Sequence, residues 1–256
     1  MKFLSLAFLC CCLLPAFAQK SRDRNVYQMM VYHFNAAQEQ GLDSYLEKDL
    51  LPAIRRAGVK KVGVFKPVAN DTATTKRLFV FVAHKNGADA VKLKSVLEAD
   101  KSYQQQAAAF LQAPHDKPSF GRIETVLMQA FQFAPEPTLP SLTGTVNERI
   151  YELRSYESAS EKLYKSKVHM FNEGGEIELF KRLQFNAVFY GEVIAGSRMP
   201  NFLYMTSFNS MADRDAHWKT FGDDAEWKTL SAKPEYQHNV SRIEITLMHA
   251  TPYSDF

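Results

Sequence analysis

The chain has 256 residues, of which 46% are hydrophobic and 12% aromatic, and it carries 31 basic against 28 acidic side chains. That is enough apolar sequence for one large core or two modest ones. The charge is too balanced to point to nucleic acid or an anionic membrane surface as a partner.

Residues 1–18 combine Lys2, an apolar run from Phe3 to Leu14, and Ala16-Phe17-Ala18, a small-x-small cleavage site. They read as a secretory signal cut after Ala18, which places the mature chain in the periplasm or the medium. The run is short for a membrane span, and no later stretch is long and apolar enough for one. Leu9 is a poor neighbour for lipidation at Cys10. Cys10, Cys11 and Cys12 are the 3 cysteines of the chain, so cleavage would leave no thiol nucleophile, thiolate metal site or disulfide.

In chain order, Val26 to Phe34 (VYQMMVYHF) reads as a strand. Ser44 and Glu47 form a capping box for a helix whose apolar stripe is Leu42, Tyr45, Leu46, Leu50, Ala53, Ile54 and Ala57; Pro52 should bend it and Gly58 end it. VGVF (Val62 to Phe65) and LFVFV (Leu78 to Val82) are strand-like in their branched and aromatic content. A second helix and a last strand, RIETVLMQA (Arg122 to Ala130), follow. Ala134 to Thr145, APEPTLPSLTGT, has three prolines and no apolar period, and reads as an extended linker.

The order then repeats. Displacing the chain by 124 residues lays Tyr27 on Tyr151, Tyr32 on Tyr156, Leu78 to Val82 on Phe202 to Thr206, and Tyr103 on Trp227. The last strand, RIEITLMHA (Arg242 to Ala250), matches Arg122 to Ala130 at a shift of 120. In the second copy, Ser210 with Asp213 and Asp223 with Glu226 mark successive helix starts before Pro234, and Gly174-Gly175 reads as a helix break. Each copy is strand, helix, strand, strand, helix, strand. Such an α+β, ferredoxin-like βαββαβ unit covers one face of its sheet with helices and leaves the other bare, so two units in one chain can bury their bare faces on each other. The divisions expected are 1–18 signal, 19–133 first repeat, 134–146 Pro-rich linker and 147–256 second repeat.

The second copy resembles the NIPSNAP family through RIYELRSY (Arg149 to Tyr156), FNEGGEIELFKRLQFNAVFYGEV (Phe171 to Val193), DRDAHWKTFGDDAEWKTL (Asp213 to Leu230) and HNVSRIEITLM (His238 to Met248); YLEKDLLPAIRRAGVKKVGVF (Tyr45 to Phe65) carries a weaker likeness in the first. The resemblance implies an intramolecular version of the dimeric α/β-barrel. It implies no single reaction, because that superfamily includes cofactor-free oxygenases, haem enzymes and members without known activity.

At the 124 shift, Gln28, Met30, Leu93 and Lys94 become Glu152, Arg154, His217 and Trp218, so a ligand site is expected in the second copy. One reading has Arg154, Tyr156, Tyr204, His217 and Trp218 lining a cavity for a small apolar or aromatic molecule. The competing one has Glu152 and Arg154 paired across strands with Arg242 and Glu244. The seven histidines show no close pair at metal-ligand spacing. No cofactor is expected; the alternative is haem, with His169, His217 or His238 as axial ligand. Three functions stay open: ligand binding, a cofactor-independent or haem-linked oxygenase in which His217 or Tyr156 handles a proton, and a non-catalytic interaction module. The internal pair allows a monomer, and exposed sheet edges allow a homo-oligomer. Asn70-Asp-Thr72 and Asn239-Val-Ser241 have the form of glycosylation sequons for a eukaryotic host.

Overall fold

The computed structural model describes residues 23–256, so the signal reading at residues 1–18 lies outside the described residues. The strands are β1 (Val26–Phe34), β2 (Val62–Pro67), β3 (Lys76–His84), β4 (Arg122–Ala130), β5 (Ile150–Glu157), β6 (Phe189–Ala195), β7 (Asn201–Phe208) and β8 (Arg242–Ala250). They close into one antiparallel barrel in the order β1-β3-β2-β8-β5-β7-β6-β4. Each repeat contributes a four-stranded half, and the halves join where β2 pairs with β8 and β4 with β6. This is the expected tandem ferredoxin-like arrangement. Because neighbours alternate in direction round the ring, β1 and β5 run the same way, and the pseudo-twofold relating the repeats follows the barrel axis.

Alternation along the strands sorts side chains into separate cores. Tyr27, Met29, Phe65, Phe81, Tyr151, Leu153, Met205 and Met248 fill the barrel. The opposite positions meet helices. In the first repeat these are α1 (Ala36–Tyr45), a π-helical turn (Leu46–Leu50), α2 (Leu51–Arg56), α3 (Gly87–Ala99), α4 (Lys101–Gln106) and α5 (Ala108–Leu111). In the second they are α6 (Glu161–Phe171), α7 (Glu176–Arg182), α8 (Met211–Asp223) and α9 (Ala225–Ser231). Both strand faces are thus covered, which explains the bulky residues at consecutive strand positions.

Several local expectations shift. The first helix starts at Asn35, which forms the capping box with Gln38, and Ser44 is interior to α1. Asn35 follows β1 directly, so the cap nearer the strand wins and extends the helix by about two turns ahead of the buried stripe that begins at Leu42. Pro52 is accommodated by the π turn before it, in which Leu51 N–H reaches Leu46 O. Gly58, at φ +96°, ends α2 as expected, with Gly58 N bonded to Arg55 O and Val59 N to Ile54 O. In the second repeat the cap of α9 is Asp224, one residue past the expected Asp223; its carboxylate accepts from Glu226 and Trp227 N–H. Gly174-Gly175 separates α6 from α7 as read.

Neither sequon presents a free amide. Asn70 is buried and its side chain bridges Arg77 N and O, while Asn239 is buried against Ser166 and Met170.

Candidate functional site

The linker is not a loose tether. Phe133 N–H donates to Asn172 Oδ1 at 3.0 Å, Asn25 N–H to Pro135 O at 2.9 Å, and Thr138 N–H to Val188 O at 2.8 Å. At its far end Asn209 Oδ1 accepts from Thr143 N at 2.8 Å and Gly144 N at 2.9 Å. A Cβ at Gly144 would come 2.4 Å from Asn209 O, so only glycine permits this approach. Pinned at both ends, the linker forms one wall of an open cleft of about 1210 Å³ over the second repeat.

The opposite wall comes from α7, with Ile177, Phe180 and Lys181; Tyr190 of β6 and Ala187 lie deeper, and Asn209, Asp213 and His217 line the α8 end. Leu139 and Phe133 on the linker side expose large apolar surfaces, 40% and 49% accessible. Tyr190 is almost fully buried, and burial, with Glu176 and Glu178 nearby, holds its phenol well above the usual range, so it is a neutral donor at all ordinary pH. His217 Nδ1 donates to Asp213 O at 2.8 Å and lies 3.3 Å from Asp213 Oδ1, so Nε2 is the ring nitrogen that these contacts leave unused. Asn209 N and Nδ2 hold the other Asp213 oxygen.

Of the five residues expected to line one cavity, only His217 lines this cleft. Arg154, Tyr156, Tyr204 and Trp218 come together beneath it as a packed cluster centred on Glu152, which is fully buried. Glu152 accepts from Arg154 Nε at 2.6 Å, Arg214 Nε at 2.7 Å and Nη2 at 3.2 Å, and Trp218 Nε1 at 2.8 Å. The Arg154 guanidinium lies 3.6 Å from the Trp218 ring centroid and donates to Tyr156 OH at 3.3 Å, and Tyr204 OH donates to Tyr156 OH at 3.0 Å. Burial pulls the Arg154 pKa down, but Tyr204, Tyr156 and Glu152 more than offset this and hold it up. Glu152 thus accepts four hydrogen bonds from two guanidinium groups and an indole, which is the condition for burying a carboxylate.

The cross-strand pairing is overturned. Arg154 stands opposite Ile245, and Ser155 opposite Glu244, so Glu152 and Arg154 point to the helices while Glu244 points into the barrel. Arg242 and Glu244 pair instead with Glu157 and Arg198. Arg214 was missed by the sequence reading; its place one turn before Trp218 on α8, over the face carrying Glu152, was the available signal.

Among the described residues no group of three His, Cys, Asp or Glu is placed to hold a metal ion. Haem does not fit the cleft. His169 is bound to Tyr236 OH and, like His238, does not line it. Beside His217 the walls carry Asp23, Glu136, Glu178 and Asp213 against Lys181, which would repel haem propionates.

Residues 151–255 match the family model for NIPSNAP. A candidate monooxygenase from Lactobacillus acidophilus shares the fold over 89% of this chain and 94% of its own, with TM-score 0.57 and 11% identity. One from Fusobacterium nucleatum does so over 90% and 93%, with TM-score 0.58 and 6% identity. A NIPSNAP family protein of unknown function from Agrobacterium tumefaciens aligns over 44% of this chain and 96% of its own, with 20% identity and TM-score 0.37. No curated protein matches the sequence. The second repeat thus matches the NIPSNAP family model, and the chain as a whole has the fold of a tandem, intramolecular dimeric α/β-barrel.

Proposed function

We propose that this chain is an exported binding protein that takes a small, largely apolar or aromatic molecule into the cleft between the linker and the helical layer of the second repeat. The carrying observation is the pinned linker, which turns a connecting segment into the apolar wall of a concavity large enough for a drug-sized ligand. Apolar surface from Phe133, Leu139, Ile177 and Phe180 supplies affinity, while Tyr190 and His217 fix orientation. Absorption spectra and native mass spectrometry of protein from its own host would reveal a retained molecule. Titration of a panel of aromatic compounds should then show Leu139→Asp and His217→Ala binding at least about tenfold more weakly, with Arg154→Met unchanged. Wild-type binding by both cleft variants would overturn the proposal.

One observation favours a second reading, in which His217 removes a proton from the bound molecule. Its Nδ1 is engaged by Asp213, so Nε2 is oriented as a base on a residue lining the cleft. Turnover that His217→Gln abolishes, with binding retained, would establish it. Binding without turnover across the panel leaves the binding protein as the function.

A further inference from the structure

The charges around the cleft do not balance. Its walls carry Asp23, Glu136, Glu178 and Asp213 against Lys181, in a chain whose 31 basic side chains slightly outnumber its 28 acidic ones. Even a protonated His217 would leave the excess negative. Asp213 spends its oxygens on Asn209 and His217, and Lys181 lies 3.7 Å from Glu178 as an exposed pair one turn along the same helix. Glu136, exposed on the linker, has no ion-pair partner among the described residues. Surface carboxylates alone would be an ordinary solvated face. What sets these apart is Tyr190 beneath them.

Tyr190 is 3% exposed, and it projects from β6 into the helical layer, so its hydroxyl is the outermost atom of the side chain. Both ring faces are covered: β6 lies between β4 and β7, and the ring stacks on Phe131 and Tyr204 with centroids 5.9 and 5.7 Å away. The hydroxyl is therefore what Tyr190 offers the cleft it lines, and it has no hydrogen-bond partner among the described residues. Tyr27 and Thr206 also carry hydroxyls without a partner, but those are sealed from solvent. A buried phenol that opens on a cavity with its hydrogen-bonding capacity unused points to something that completes it.

We propose that the molecule taken into the cleft is an amine, an apolar or aromatic body with one protonated nitrogen that donates to Tyr190 Oη amid the wall carboxylates. This assignment rests on the cleft as the binding site and names the charge of what enters it. An ammonium suits the place because it has donors and no acceptor, while the phenol oxygen and the carboxylates supply acceptors. The field of Glu176 and Glu178 that keeps the phenol protonated also favours a cation beside it. Ile177, Phe180 and Leu139 receive the apolar body, and the exposed ring of Phe133 adds a face that attracts a cation. A carboxylate in the same place would meet mostly its own sign.

The test is a titration of the full chain with tryptamine, with tryptophol as the neutral isostere and indole-3-propionate as the anionic one, followed by methyl NMR of Ile177 and Leu139. Tryptamine should bind about fivefold more tightly than tryptophol and at least about twentyfold more tightly than indole-3-propionate at low salt. The preference should shrink in about 0.5 M sodium chloride. Glu136→Gln combined with Glu178→Gln should erase the advantage of tryptamine and leave tryptophol binding unchanged. Tyr190→Phe, which deletes only the hydroxyl, should weaken tryptamine about fivefold. Equal binding of the three indoles, a preference for the acid, a preference that survives the double variant, or wild-type tryptamine binding by Tyr190→Phe overturns the amine and leaves the cleft as a binding site. If none of the three shifts Ile177 or Leu139, the binding reading of the cleft fails with it.

Discussion

The two helical layers cover equivalent strands with different chemistry. The first is mainly aliphatic, built on Leu42, Leu46, Leu50, Ile54, Val62, Val64, Leu78, Val80 and Val82, with its rings, Tyr32, Phe34, Tyr45 and Tyr103, in the minority. The second is aromatic, with Phe171, Phe180, Phe185, Tyr190, Phe202, Tyr204, Phe208 and Phe221. At the 124 shift Leu78 becomes Phe202 and Val80 becomes Tyr204; Gln28, Met30 and Ala90 become Glu152, Arg154 and Arg214. Since the first layer closes without the ionic cluster, the fold does not require one. Packed rings and the ionic cluster around Glu152 instead make the base beneath the linker and cleft.

The strongest way to break this comparison is to remove the centre of the cluster. Glu152→Gln leaves Arg154 and Arg214 without a buried counter-charge and should destabilise by about 3–5 kcal/mol in urea unfolding. The triple change Glu152→Gln, Arg154→Met, Arg214→Ala, which installs the first repeat's residues, should recover more than half of that loss. A triple variant no more stable than the single one would show that the cluster does more than balance its own charges.

Tyr204→Val, again the first repeat's choice, should cost about 3 kcal/mol, because the rings of Phe171, Tyr190 and Phe202 cannot collapse into the space. A midpoint within error of wild type would mean that the aromatic layer repacks as freely as an aliphatic one.

Lys167 and Glu176 form a second buried pair at 2.8 Å, with the ammonium 4.8 Å from the Phe171 centroid. Burial raises the Glu176 pKa from its ordinary 4.5, and Lys167 offsets part of that. A raised carboxyl pKa contributes stability that is present at low pH and lost as pH rises. Lys167→Met should therefore cost about 2 kcal/mol at neutral pH, less than the Glu152 change because Glu176 can take up a proton, and the cost should vanish below about pH 4.5. A penalty independent of pH would assign the loss to packing.

The smallest effect belongs to the first repeat, whose charges sit nearer solvent. Glu39 bonds Lys66 at 2.8 Å and lies 3.1 Å from Lys76. The Lys66 hydrogen bond lowers the Glu39 pKa below its ordinary 4.5. Here the sign reverses: the contribution is present above that value and lost as pH falls through the folded pKa. Glu39→Gln should cost about 0.5 kcal/mol at neutral pH and nothing in acid, read from the same unfolding curves.

The repeat, the order of elements and the sharing of one barrel were legible in the sequence, because they depend on local periodicity and on two copies with the same unmet sheet face. Capping chemistry carried Gly58, Ser210 and the Gly174-Gly175 break for the same reason. It misplaced the start of the first helix, where two caps competed, and the start of α9 by one residue. Which of Glu152's partners it would take was decided only by tertiary structure. Strand alternation put Glu152 and Arg154 against the helices and Glu244 inside the barrel, and α8 delivered Arg214 and Trp218 from 62 and 66 residues away. The cleft was equally hidden, since a Pro-rich segment becomes a wall only when Asn172, Val188 and Asn209 bond its backbone. Periodicity is written along the chain; these contacts depend on where distant segments meet, and no local pattern encodes that distance.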